Sequence, residues 1–205
     1  MERQEHWERI YSSKVPTEVS WYQEHPGKSL ELIAHTGAGT AARIIDVGGG
    51  ASVLVAELLA RGFTDLTVLD VSSAALKHAE ARLGEADARR VTWMEADITQ
   101  AALPESSYDV WHDRAVFHFL TDAEDRKMYI GNMERSVKEG GHIIISTFAL
   151  DGPLRCSGLD IVRYSPESLQ TEFGGGFDLL ESCHELHPTP FGTQQSFVYC
   201  YFRKR

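Results

Sequence analysis

Arg43-Ile44-Ile45-Asp46-Val47-Gly48-Gly49-Gly50-Ala51-Ser52 decides how this chain of 205 residues is read. An apolar run ends in a glycine turn, and a segment rich in helix formers follows from Val53 to Ala60, with Gly62 just past its end. This is a strand, a tight turn and a helix. In an open α/β sheet such a turn faces the crevice at the carboxyl ends of the strands, where glycine lets a ligand approach the backbone without meeting a Cβ atom. A Gly-x-Gly turn alone is also what any tight strand-to-helix connection requires, so its surroundings must decide. A dinucleotide fold wants a further glycine at position 53, for close helix packing beneath a pyrophosphate, and the chain has Val53 there. That argues against NAD.

Working outward, short apolar runs recur at Leu66–Leu69, Val91–Met94, Asp109–Trp111 and His142–Phe148. Helical segments lie between most of them. Ser72 or Ser73 is placed to cap Ala74–Leu83, which closes at Gly84, and Thr121 or Asp122 to cap Ala123–Lys138, which closes at Gly140 and Gly141. Ser165-Pro166-Glu167 opens a short helix to about Phe173. Two strand-like runs then follow, Phe177–His187 and Gln195–Phe202, joined by a turn with Pro188, Pro190 and Gly192. The alternation predicts an α/β fold, a mostly parallel sheet with helices on both faces and a C-terminal antiparallel hairpin. No repeat or linker divides the chain, so residues 1–205 read as one domain, with 1–26 outside the sheet as a lid or edge segment.

Acidic residues gather at one rim. Asp70 ends its strand 20 residues after Gly50, at the distance where a carboxylate returns to accept ribose hydroxyls; the neighbouring serines are better placed to cap the next helix. Asp97 follows the third strand and Asp113 the fourth.

With these motifs in place, residues 40 to 150 resemble the class I methyltransferases that use S-adenosylmethionine (SAM). The resemblance implies the Rossmann-like fold of that family, a seven-stranded sheet of order 3-2-1-4-5-7-6. It implies SAM as cofactor, with Asp46, Gly48 and Gly50 in the first motif, Asp70 with Val71 at the ribose, and Asp97 with Ile98 at the adenine. Asp113-Arg114-Ala115 and the stretch after it resemble thiopurine S-methyltransferase and related small-molecule methyltransferases, where an arginine at the position of Arg114 lies by the cofactor. His6-Trp7-Glu8-Arg9-Ile10-Tyr11, with Gly140–Thr147, also resembles elongation-factor lysine methyltransferases. Trp7, Tyr11, Trp21 and Tyr22 suit a sulfonium, a compact cation attracted to aromatic faces. An i, i+4 packing face of a helix accounts equally well for Trp7 and Tyr11.

The acceptor is read from what the reaction demands. Displacement at a sulfonium has an excellent leaving group, so the protein's work is to align and dry the reactants, and a base is needed only for a protonated acceptor. Asp113, with Arg114, is expected to face the crevice as the catalytic pair. His112 and His118 are the other candidate bases, although His118, at the start of a helix, reads more readily as a surface residue. The loop Asp151–Gly158 is expected at the same rim. Strand alternation puts Cys183 and His184 on opposite faces, so with His187 they make no metal site.

A formal net charge of −10 would repel a phosphate backbone, which excludes nucleic acid as partner. No apolar run of about 18 residues suggests a membrane span, and the opening residues lack a signal-peptide core. Three unevenly spaced cysteines, Cys156, Cys183 and Cys200, suit a reducing cytoplasm. The expected function is methyl transfer from SAM to a small molecule, a thiol or other soft nucleophile. A protein-lysine methyltransferase is the alternative among enzymes, and a SAM-binding regulatory protein the alternative without catalysis.

Overall fold

The computed structural model describes residues 2–205. Seven strands form one sheet of order β3-β2-β1-β4-β5-β9-β8. The strands are β1 (Arg43–Val47), β2 (Asp65–Asp70), β3 (Val91–Glu95), β4 (Tyr108–Arg114), β5 (Val137–Phe148), β8 (Phe177–Pro188) and β9 (Gln194–Lys204). A two-residue hairpin, β6 (Arg155–Cys156) with β7 (Leu159–Asp160), stands apart. Leaving that hairpin out of the count, the order is the expected 3-2-1-4-5-7-6. Strands β1 to β5 pair in parallel, and β9 joins antiparallel to both β5 and β8.

Two cores follow from alternation along the strands. Ile44, Val110 and Ile144 face one side, packed with Leu32 and Ile33 of α2 (Gly27–His35) and with Leu54 and Leu58 of α3 (Leu54–Ala60). Ile45, Trp111 and Ile143 face the other, against Tyr129 and Met133 of α6 (Ala123–Ser136) and Leu169 of α7 (Pro166–Phe173). Of the paired cap candidates, Ser72 accepts from the Ala75 amide at the start of α4 (Ser73–Leu83), and Asp122 accepts from the Glu124 amide at the start of α6. Ser165 forms a reciprocal capping box with Ser168.

One boundary differs from expectation. Helix α6 ends at Ser136, and Val137 to Gly141 already belong to β5. Val137 is fully buried opposite Tyr108, and a β-branched side chain in that ladder gains more than another helical turn on the surface would. No helix among the described residues is long and apolar enough to cross a membrane.

Candidate active site

The glycine turn is sterically required. Gly48 has φ +71°, and a Cβ there would lie 2.0 Å from Val116 Cγ2. At Gly50 a Cβ would meet Ala75 Cβ at 2.6 Å and Asp70 Oδ2 at 2.8 Å. Asp70, at the end of β2, spans the turn: Oδ2 accepts from the Gly50 amide (3.1 Å) and Oδ1 from the Ser72 amide (2.9 Å). Burial pushes its pKa up to about 6, against those amides, which favour the charged form.

Two cavities open beside this turn. The larger runs from Val47 and Gly48 past Asp70 and Val71 to Asp97 and Ile98, and its far wall is Phe119, Phe148 and Cys156. Its cover comes from α1 (Glu2–Ser13) and the segment after it, through Trp7, Tyr11 and Trp21. Trp7 meets Phe119 edge-on at 4.9 Å between centroids and Trp21 at 5.6 Å. Trp21 Nε1 donates to Tyr11 Oη (3.2 Å). Helix α1 is tied down by side chains: Arg3 bridges Asp97 and Asp125, and Glu8 accepts from Ser72 Oγ (2.7 Å) and from the Ala74 amide at the start of α4. Asp97 also accepts from the Thr99 amide and hydroxyl, so much of its capacity is used inside the protein.

The smaller cavity lies between Asp46, Gly49, His112, Arg114 and Tyr22. Asp46 and His112 are register partners on β1 and β4, and their side chains pair, Nδ1 to Oδ1 at 2.7 Å. His112 Nε2 reaches Ser29 Oγ of α2 at 2.9 Å. Asp46 Oδ2 is buried and has no hydrogen-bond partner. Arg114, which lines both cavities, donates from Nε to Tyr199 Oη (3.0 Å) and from Nη1 to the Trp21 carbonyl (2.9 Å), while its buried Nη2 makes no hydrogen bond. An orphaned carboxylate oxygen and an orphaned guanidinium nitrogen thus line one cavity. That pairing suits a zwitterion, an ammonium on one side and a carboxylate on the other. The acids of the larger cavity suit a ribose and a base.

Of the residues singled out from sequence, Trp7, Tyr11, Trp21, Asp46, Gly48, Asp70, Val71, Asp97, Ile98 and Arg114 line these cavities. Gly50 lines neither; its amide serves Asp70.

Asp113 lines neither cavity and is fully buried on the opposite side of β4. Its carboxylate accepts from the Val116 and Phe117 amides and from Tyr129 Oη (2.6 Å), which also receives Trp111 Nε1. Adjacent strand positions point to opposite faces, so Asp113 cannot share the crevice with His112 and Arg114. His118 is likewise not on the surface: it is fully buried, stacked on Phe148, and accepts the Phe148 amide at Nδ1. Burial lowers its pKa to about 3, so it stays neutral.

Alternation gave no hint of the aromatic wall at Phe119 and Phe148, nor of Tyr199 and Glu185 beneath Arg114. Along β8 it did separate half-buried Cys183 from exposed His184.

Comparison with known proteins gives the following. The methyltransferase domain family matches residues 44–141. Human EEF1A lysine methyltransferase 2 is 23% identical over 199 residues, 91% of this chain and 77% of the relative. Among solved structures, one described as converting a disulfide bond into a thioacetal group during echinomycin biosynthesis superposes with a TM-score of 0.78 at 18% identity, covering 98% of this chain and 93% of that one. The N-methyltransferase NodS from Bradyrhizobium japonicum, in complex with S-adenosyl-L-homocysteine, gives a TM-score of 0.69 at 17% identity, covering 96% and 97%.

Proposed function

The chain is a class I SAM-dependent methyltransferase, and from that premise we propose that it methylates a small molecule through a soft nucleophilic atom, a thiol foremost. The site's residues fit the cofactor. Asp70 would hold the ribose, Asp97 and Ile98 the adenine, and Asp46 Oδ2 with Arg114 Nη2 the ammonium and carboxylate of the amino-acid end. When bound, SAM supplies a methyl group on a sulfonium. The far wall of Phe119, Phe148 and Cys156 then remains for the acceptor.

One observation carries the choice of acceptor: none of the expected bases stands free at that wall. Asp113 is enclosed on the other face, His112 is held between Asp46 and Ser29, and His118 is buried and neutral. The Tyr11 phenol, raised by burial, keeps its proton. An acceptor that must shed a proton during transfer finds little help, whereas a thiolate needs none. In this reading α1 and the segment to Pro26 cover the site, exclude water from it and belong with the rest of residues 1–205 to one domain. The free cysteines accord with a reducing cytoplasm as its place of action.

Protein lysine is the second reading, supported by the likeness to the human lysine methyltransferase along 91% of this chain. Release of S-adenosylhomocysteine against thiols, phenols, amines and an elongation-factor preparation distinguishes them. Turnover of thiols that rises with the thiolate fraction is expected. Transfer confined to protein lysine would replace the small-molecule reading, and cofactor binding without any transfer would favour a regulatory protein.

A further inference from the structure

Arg114 is a long, flexible side chain at the end of β4, and a guanidinium with one free nitrogen is useful only if the other nitrogens fix its direction. Two residues of the C-terminal hairpin do this. Tyr199 Oη accepts from Arg114 Nε (3.0 Å) and donates to Glu185 Oε2 (3.0 Å). The direction of the relay is set: an arginine N–H can only donate, so the phenol gives its own proton to the carboxylate. Burial, first, raises the Tyr199 pKa and keeps that proton in place. Below lies the Phe197 ring, 4.6 Å from the guanidinium carbon.

Glu185 Oε2 stands 3.9 Å from Arg114 Nη2, beyond hydrogen-bond reach. A direct two-pronged Arg–Glu pair would consume the guanidinium. Acting through Tyr199, the carboxylate balances the charge and orients the group while Nη2 keeps its hydrogens for another acceptor. Glu185 also accepts from Gln23 Nε2 (3.2 Å), and His187 Nε2 lies 2.9 Å from the Ser20 carbonyl. The same strand therefore holds the segment whose Trp21 carbonyl takes Arg114 Nη1.

We propose that Tyr199 and Glu185 are a positioning pair that aims Arg114 Nη2 at the carboxylate of the cofactor. This rests on the reading that Arg114 meets that carboxylate. The pair touches neither reactant and works through Arg114 alone.

The test uses the full chain and two ligands, S-adenosylhomocysteine and 5′-methylthioadenosine, which shares the nucleoside and sulfur but lacks the amino acid. Calorimetry on Arg114→Ala, Tyr199→Phe, Glu185→Ala and Glu185→Gln gives the outcome, with thermal melts to establish folding. Tyr199→Phe keeps the buried ring and should fold. Losing one charge-assisted contact, Tyr199→Phe and Glu185→Ala should each weaken S-adenosylhomocysteine by about tenfold while changing methylthioadenosine by less than about twofold. Glu185→Gln still accepts from Tyr199 and should recover most of that loss. If Arg114→Ala weakens only the amino-acid ligand but the hairpin variants leave it unchanged, or weaken both ligands alike, the positioning pair is refuted and the reading of Arg114 stands. If Arg114→Ala does not distinguish the ligands, that reading falls and takes the pair with it.

Discussion

The two ends of the site are assembled in opposite ways. At the nucleoside end, Gly48, Asp70 and Asp97 each sit at or just past the end of their own strand, and backbone amides fix both carboxylates: Asp70 accepts from Gly50 and Ser72 and Asp97 from Thr99, with Arg3 the one distant side-chain partner among the described residues. At the other end Arg114 depends on Trp21 and Tyr199, 93 and 85 residues away, and Tyr199 in turn on Glu185. The glycine turn and its two carboxylates are set by the parallel sheet and the turns that leave it. The other end exists only when the N-terminal segment, β4 and the hairpin have all come together.

If that contrast is right, the heaviest loss from a single carboxylate falls at the nucleoside end. Asp70→Ala removes the proposed acceptor of the ribose hydroxyls and is expected to weaken S-adenosylhomocysteine by about 1–3 kcal/mol, read by calorimetry. Acidity should act through the same atom. With its pKa held at about 6, Asp70 takes up a proton as pH falls through that value and loses an acceptor, so affinity should drop below pH 6 and Asp70→Asn should lose this dependence. Stability has the opposite sign. A pKa raised above its unfolded value favours the fold most at low pH, and that contribution disappears as pH rises through about 6. An affinity for S-adenosylhomocysteine equal in Asp70→Ala and wild type would place the ribose contact elsewhere.

Asp113 sharpens the contrast from the other face of β4. Asp113→Asn leaves a buried clamp with one acceptor too few, so the expected change is a loss of about 1–2 kcal/mol in unfolding free energy, with Kd for S-adenosylhomocysteine little altered. A fall in turnover restored at high pH, without loss of stability, would return Asp113 to the role of base.

The smallest effect belongs to Arg3. Its partners are about a quarter exposed, so Arg3→Gln should cost under about 1 kcal/mol of stability. Amide exchange in α1 should nonetheless quicken, while exchange in β1 stays as it was. Equal α1 exchange in Arg3→Gln and wild type would mean that aromatic packing alone holds the helix.

These regions were unequally legible in the sequence. The strands and the acids of the nucleoside end follow from apolar periodicity and the glycine turn, because each residue is placed by its own neighbours; the strand order comes with the resemblance to the methyltransferase family. The motif after the fourth strand sets Asp113 and Arg114 side by side as one catalytic pair, whereas the strand period of two puts them on opposite faces, and the fold follows the period. His118 reads as exposed from its neighbours because a buried imidazole reveals itself only through its stacking partner, Phe148, 30 residues on. Glu185 sits in the alternating strand β8 and Tyr199 in the continuously buried run of β9, and nothing local marks either.

The chain Ser29–His112–Asp46 has a mechanical meaning. It cross-links α2, β4 and β1 through side chains that are almost wholly dry, and Asp46 Oδ2 would lie 2.2 Å from any Cβ at Gly49. A shift of the glycine turn would therefore have to drag a helix and a strand with it. The floor of the site is braced as a single beam, from one helix across two neighbouring strands.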